Sequence, residues 1–164
     1  MKPIFVYGTL KSTINVAYKD LDNFGWNLLT KREAQVSGNL HIIPCTNAIF
    51  PAVGKLNTEN TITGEIIYIN NPIFLQILDK IESEGVMYKR VTTTTTDGEE
   101  CWLYQWHDPD KLEYLIEHGN FQYIMLKSKE EKMQLGIPMQ AMDGNTCKVF
   151  IPELFAIANI DLHS

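Results

Sequence analysis

Phe74, Leu78 and Glu82 are spaced four residues apart, so in a helix all three project from one face. The first two are core-type residues, and Glu82 continues their apolar stripe. It also falls in the last turn of the helix that this spacing predicts, where the helix dipole disfavours an anion. Desolvation and dipole both push a carboxyl above its ordinary value of about 4.3. A carboxylate placed against its electrostatic preference is a candidate general base. The ordinary alternatives are that Glu82 bends outward at a frayed helix end, or pairs with Lys89 or Arg90. Glu84 and Glu65 are rivals. Glu84 falls past the periodic part of the helix, and Glu65 lies on a strand-like segment beside Gly64.

A second feature is the stretch FVYGTLKS, Phe5 to Ser12. A strand that ends in Tyr7-Gly8-Thr9 leaves backbone N–H groups unpaired where the sheet stops. Gly8 has no Cβ, so a ligand can come close to the main chain. Such a loop can cradle an anion or donate to a carbonyl oxygen that gains charge during acyl transfer. A plain turn is the ordinary explanation of the same residues.

The elements that must position these residues can be read along the chain. Lys2–Val6 reads as a buried strand, and the segment AYKDLDNFGWNLL holds a short helix. Glu33–Ile43 reads as a strand interrupted by Gly38, Thr46–Pro51 as a loop, and Thr61–Ile69 as another strand. Asn71 caps the clearest helix and Pro72 suits its first position. Ile73, Phe74, Ile77, Leu78 and Ile81 form its apolar face, with Gln76, Asp79 and Lys80 on the other side, and Ser83–Gly85 ends it. After Tyr88 comes a strand rich in threonine. Asp97-Gly98 signals a two-residue hairpin turn. The return strand alternates Trp102, Tyr104 and Trp106 on one face with Cys101, Leu103 and Gln105 on the other. Asp110–His118 reads as a helix. Hairpins, few helices and no βαβ alternation predict an α+β fold with a mixed, largely antiparallel, barrel-like sheet. Residues 1–164 read as a single domain, with 122–164 a C-terminal extension packed on it.

Composition bounds the function. The chain has 164 residues, a net charge of -6 and no long basic run, which argues against a nucleic-acid partner. No apolar run is long enough to span a bilayer, and the N-terminal PIFVYG reads as a strand rather than a secretory segment. Cys45, Cys101 and Cys147 are odd in number and widely spaced, as expected of reduced thiols in a cytoplasmic protein. His41, His107, His118 and His163 show no metal-ligand spacing. No metal and no other cofactor is expected.

In order along the chain, FVYGTLK, FPAV, TGEIIYI, LDKIE and Tyr88-Lys89-Arg90 resemble the γ-glutamylcyclotransferase-like superfamily, and most of all its γ-glutamylamine cyclotransferase branch. The resemblance covers Lys2 to Trp106 and extends to Glu117–Phe121, where the family often carries Gly-Asp-Trp. It implies that Tyr7, Gly8, Thr9 and Leu10 form a substrate-binding loop and that Phe50 and Pro51 line the pocket. It further implies that the LDxxE spacing makes Glu82 the catalytic glutamate, and that Tyr88 and Arg90 belong to a Y-x-R motif. There are departures. The acidic-glycine pair expected at the glutamate stands at Glu84-Gly85, which keeps Glu84 as a fallback. The glycine expected shortly after YGTLK and the leading glycine of the TGEIIYI motif are absent. The segment after Phe121 matches no family motif.

The activity implied is conversion of a γ-glutamyl amine or γ-glutamyl amino acid into 5-oxoproline and the free amine, a lyase-type intramolecular acyl transfer with one glutamate as base and then acid. The partner is a small γ-glutamyl molecule. The alternatives are a catalytically inactive ligand-binding member of the same fold, and an interaction domain whose surface is the Trp102-Tyr104-Trp106 face. A cysteine hydrolase is disfavoured because no thiol lies near a helix start or a histidine. Neither the leaving amine nor the oligomeric state is written in the sequence.

Overall fold

The opening strand is only three residues long, β1 (Ile4–Val6), yet it lies in the middle of the sheet. The computed structural model describes residues 1–7, 19–45, 48–82, 85, 87–112 and 115. Among them are also β2 (Lys31–Cys45), β3 (Ala48–Ile67), β4 (Tyr88–Thr94) and β5 (Glu100–Trp106), arranged in the order β2-β3-β1-β5-β4. β1 runs antiparallel to β3, with Ile4 opposite Ile67, and parallel to β5, with Ile4 opposite Trp102. Both faces of β1 are covered. Ile4 and Val6 enter one apolar cluster, Phe5 and Tyr7 the other. An unbroken apolar run is what a strand buried on both sides requires.

The first cluster lies between the sheet and the helices. α1 (Lys19–Asn23) and a 3₁₀ turn (Trp26–Leu28) supply Leu21 and Trp26, and α2 (Ile73–Ile81) supplies Phe74 and Leu78. The second cluster, with Val36, Leu40, Ile62, Ile66 and Leu103, fills the concave side of the curled sheet. Tyr104 and Trp106 are buried in the first cluster and Trp102 packs against it. The hairpin aromatics therefore cover the core, and the face suggested as a partner surface is not exposed. No helix among the described residues is long and apolar enough to cross a membrane.

β2 and β3 form one long hairpin. The loop expected at Thr46–Pro51 is instead the start of β3 from Ala48 onward, with Cys45 opposite Ala48, Ile43 opposite Phe50 and Ile42 opposite Pro51. Pairing with β2, rather than local residue preference, decides that segment. The register shifts at Gly38, as the glycine suggested: Ser37 faces Thr61 but Gly38 faces Leu56. The intervening turn places Asn57 at φ 58 and is held by the Ser37 hydroxyl donating to the Thr58 carbonyl. Gly64 answers to a closer constraint. A Cβ there would lie 2.3 Å from the Val6 carbonyl oxygen and 2.6 Å from Phe5 Cζ, so no side chain fits where β3 crosses β1.

The β4–β5 turn differs from the two-residue form expected. Thr95 N donates to Glu99 O and Gly98 N to Thr95 O, leaving Thr96, Asp97 and Gly98 as a three-residue loop with Gly98 at φ 98. A glycine in the left-handed region is what that longer loop demands. The resulting register sets Arg90 opposite Tyr104.

The sheet curls until its edges touch but does not close. Val36 and Thr95 form a single bridge, and Thr96 N donates to Gln35 O at 2.8 Å. Arg32 on β2 fastens this seam through Glu99 at 2.7 Å and Asp97 at 3.0 Å, and Tyr68 donates to the same Glu99 at 2.7 Å. Beyond β5, Pro109–Lys111 makes one 3₁₀ turn. The helix expected over 110–118 does not form at Leu112, whose backbone is extended, or at Leu115, which bridges to His41. The extension expected at 122–164 lies outside the described residues.

Candidate active site

α2 begins as its sequence requires. The Asn71 side chain accepts the Ile73 N–H at 2.9 Å, and Pro72 already has helical angles. Phe74 and Leu78 are fully buried, which fixes the rotation of the helix. Glu82 follows at its C-terminal cap, its N–H donating to Leu78 O at 2.9 Å. The residue is half-buried. Its negative charge adds to the raising of the pKa of two buried hydroxyls, those of Tyr7 and Tyr104.

Tyr7 directly follows β1. Its hydroxyl donates to Tyr104 O at 2.5 Å and accepts from Val53 N at 3.4 Å. β3 and β5 meet at this level, with Val53 opposite Gln105. β1 has run out there, and the phenol supplies the polar partners that a longer strand would have given. Burial, then the charge of Glu82, raise the Tyr7 pKa well above 10, partly offset by the Val53 N–H. Tyr7 therefore keeps its proton and remains a donor.

Tyr104 ties this centre to α2. Its side-chain hydroxyl donates to Asp79 Oδ1 at 2.6 Å. Burial, that bond, and the charges of Asp79 and Glu82 push its pKa far up, and Arg90 opposes them. Arg90, across the hairpin from Tyr104, donates Nε to Asp79 Oδ1 at 2.9 Å and Nη2 to Oδ2 at 3.2 Å. Its guanidinium lies 4.5 Å from the centroid of the Trp102 ring. Neither Asp79 nor Tyr104 is among the site residues expected from the sequence. Asp79 was assigned to the polar side of α2, yet its carboxylate is shared by a phenol and a guanidinium. The register that brings Arg90 beside Tyr104 could not be read from the sequence, because the two-residue turn expected at Asp97-Gly98 would pair Arg90 with Gln105.

Tyr88 donates to Pro51 O at 2.9 Å and meets Trp106 edge-on at 5.3 Å. Pro51 is buried, two residues before Val53 on β3. Tyr7, Pro51, Glu82 and Tyr88 are thus brought into one region, with Arg90 joined to it through Asp79 and Tyr104. Gly8, Thr9, Leu10 and Glu84 lie outside the described residues, as does the side chain of Phe50. Glu65 sits within β3, between Val6 on β1 and Glu33 on β2. Cys101 is fully buried with its thiol pushed up to about 11, chiefly by that burial, which makes it a poor nucleophile.

The sequence pattern of the gamma-glutamyl cyclotransferase, AIG2-like family matches residues 4–123. The chain belongs to that family. Among solved structures, an uncharacterized protein from Pyrococcus horikoshii is 23% identical, with a TM-score of 0.53 over 77% of this chain and 94% of its own. An AIG2-like protein from Mus musculus is 21% identical, with a TM-score of 0.53 over 74% and 88%. An allophanate hydrolase from Kluyveromyces lactis is 12% identical, with a TM-score of 0.54 over 76% of this chain but only 21% of the hydrolase. At such identities the likeness is one of fold. No curated protein matches the sequence. The curled, mixed five-stranded sheet, with few helices among the described residues, is the fold that this family member shares with those structures.

Proposed function

We propose that this protein cyclises a γ-glutamyl amine or γ-glutamyl amino acid to 5-oxoproline, releasing the free amine, with Glu82 as general base and then general acid. The observation that carries the reading is the pair of hydrogen bonds that joins Tyr7 through Tyr104 to Asp79, about one helical turn before Glu82. Family membership supplies the reaction class.

Glu82 takes a proton from the substrate α-ammonium. The freed amine attacks the γ-carbonyl of its own glutamyl group and closes the lactam ring. The C–N bond to the leaving amine breaks as Glu82 returns the proton to that nitrogen, and the ring nitrogen gives up its surplus proton to the released amine or to solvent. The substrate is its own nucleophile, so rate depends on holding it folded for attack. Backbone N–H groups of Gly8–Leu10 bind the α-carboxylate or the oxyanion. Tyr7 and Tyr88 have committed their protons to backbone carbonyls, and so they meet the substrate as acceptors and walls. Phe50 and Pro51 complete the pocket. Arg90 spends two donors on Asp79 and serves as a buttress. The setting we propose is the cytoplasm, in keeping with the free thiol of Cys101.

The test is incubation with a panel of γ-glutamyl amines, γ-glutamyl dipeptides and ε-(γ-glutamyl)-lysine, with 5-oxoproline measured by mass spectrometry. Release from at least one class, lost in Glu82→Gln, is expected. No product from any member, or a Glu82→Gln protein as active as the parent, overturns the reading.

A further inference from the structure

We infer that Tyr104 and Asp79 are positioning residues that set where Glu82 stands relative to Tyr7. This rests on the reading of Glu82 as the base.

Tyr104 is bonded in two directions. Its backbone carbonyl accepts the Tyr7 hydroxyl at 2.5 Å, and its side-chain hydroxyl donates to Asp79 at 2.6 Å. One residue thus joins the end of β1 to α2. Asp79 precedes Glu82 by three positions, about one helical turn, so whatever fixes Asp79 fixes the turn that carries Glu82. Leu78 anchors the same turn by burial.

The anchor is well made. Asp79 takes three short bonds, one from Tyr104 and two from Arg90, each at 3.2 Å or less. Bidentate guanidinium–carboxylate pairing fixes direction as well as distance. Arg90 in turn lies over the Trp102 ring, and Lys2, two residues before β1, lies 4.2 Å from the centroid of the same ring. The hairpin register that puts Arg90 opposite Tyr104 aims both donors at one carboxylate. A fold needing only stability there would be served by apolar contact. Three charge-assisted bonds one turn before the base instead give directional control.

Tyr104→Phe removes the bond to Asp79 and leaves the ring and the backbone carbonyl in place. Asp79→Asn keeps the shape and weakens both pairings. For each folded variant, kcat should fall about tenfold or more with KM changed less than about threefold, because geometry of attack is lost before affinity. The double variant should be little worse than either single one, since both act through the same link. Amide exchange at Glu82, followed by NMR, should quicken about tenfold or more in Tyr104→Phe, and it needs no substrate. Unchanged exchange at Glu82, or kcat within about twofold of the parent in folded Tyr104→Phe, overturns the inference. If the parent makes no 5-oxoproline, the functional reading fails and the exchange rates alone decide whether the anchor exists.

Discussion

The Tyr7 hydroxyl donates to the backbone carbonyl of Tyr104 at 2.5 Å, where β1 has ended and β3 and β5 have come together. A side chain does there what strand pairing does elsewhere, and it holds the residue just before Gly8–Leu10, the proposed substrate-binding residues. Tyr7→Phe keeps the ring but strands the Tyr104 carbonyl and the Val53 N–H in a buried place. A loss of about 1–3 kcal/mol is expected, read from the urea midpoint at unchanged slope.

Glu82→Gln should lower kcat by about 10²–10⁴ with KM within a few-fold, as for loss of a proton-transfer group. Glu84→Gln should retain turnover. Equal loss in both, or loss in Glu84→Gln alone, would move the base to Glu84, the position where the family's acidic-glycine pair falls in this chain.

Gly64→Ala should be among the most damaging single-methyl changes. The added carbon would meet the Val6 carbonyl oxygen at 2.3 Å. β1 must shift, so a destabilisation of at least about 1–3 kcal/mol is expected in denaturant unfolding. Turnover should fall with it, because Tyr7 and its loop move with β1.

The seam should make stability sensitive to acid. The Thr95 hydroxyl first, and Arg32 next, lower the Asp97 pKa below 3.8; the Tyr68 hydroxyl first, and Arg32 next, lower that of Glu99 below 4.5. Depressed folded values mean that the contribution is complete above the unfolded carboxylate range and is lost as pH falls through the folded values. The thermal midpoint should therefore drop as pH is lowered below those ordinary values. Asp97→Asn/Glu99→Gln should flatten that part of the curve. An equal slope in parent and variant would exclude the seam as its source.

Cys101→Ala should leave turnover within about twofold of the parent. In the native protein, thiol labelling mapped to Cys101 should be slow, because the group is buried and its thiol is pushed up to about 11.

Much of the site region was legible because short-range spacing encodes it. The Asn71-Pro72 start, the Phe74–Leu78–Glu82 row and the alternation of β5 depend on residues within a few positions of one another. What was missed depends on distant pairing. Ala48–Pro51 carry no strong strand signal and are strand because Ile42–Cys45 lie beside them. Leu115 meets His41, far back in the sequence, instead of continuing a helix. The hairpin turn shows how small the deciding feature can be. A two-residue loop at Asp97-Gly98 would pair Arg90 with Gln105, whereas the three-residue loop pairs it with Tyr104. One position of register turns a side chain to the other face, and the support beneath Glu82 rests on it.

β1 has no neighbour to pair with until the chain has grown past Ile67, and its second flank is empty until Trp102 emerges. During synthesis β1, made before its partners β3 and β5, is therefore docked after the long β2–β3 hairpin can already exist. A nascent chain halted between Glu82 and Trp102 would hold the proposed base without the strand that completes its setting.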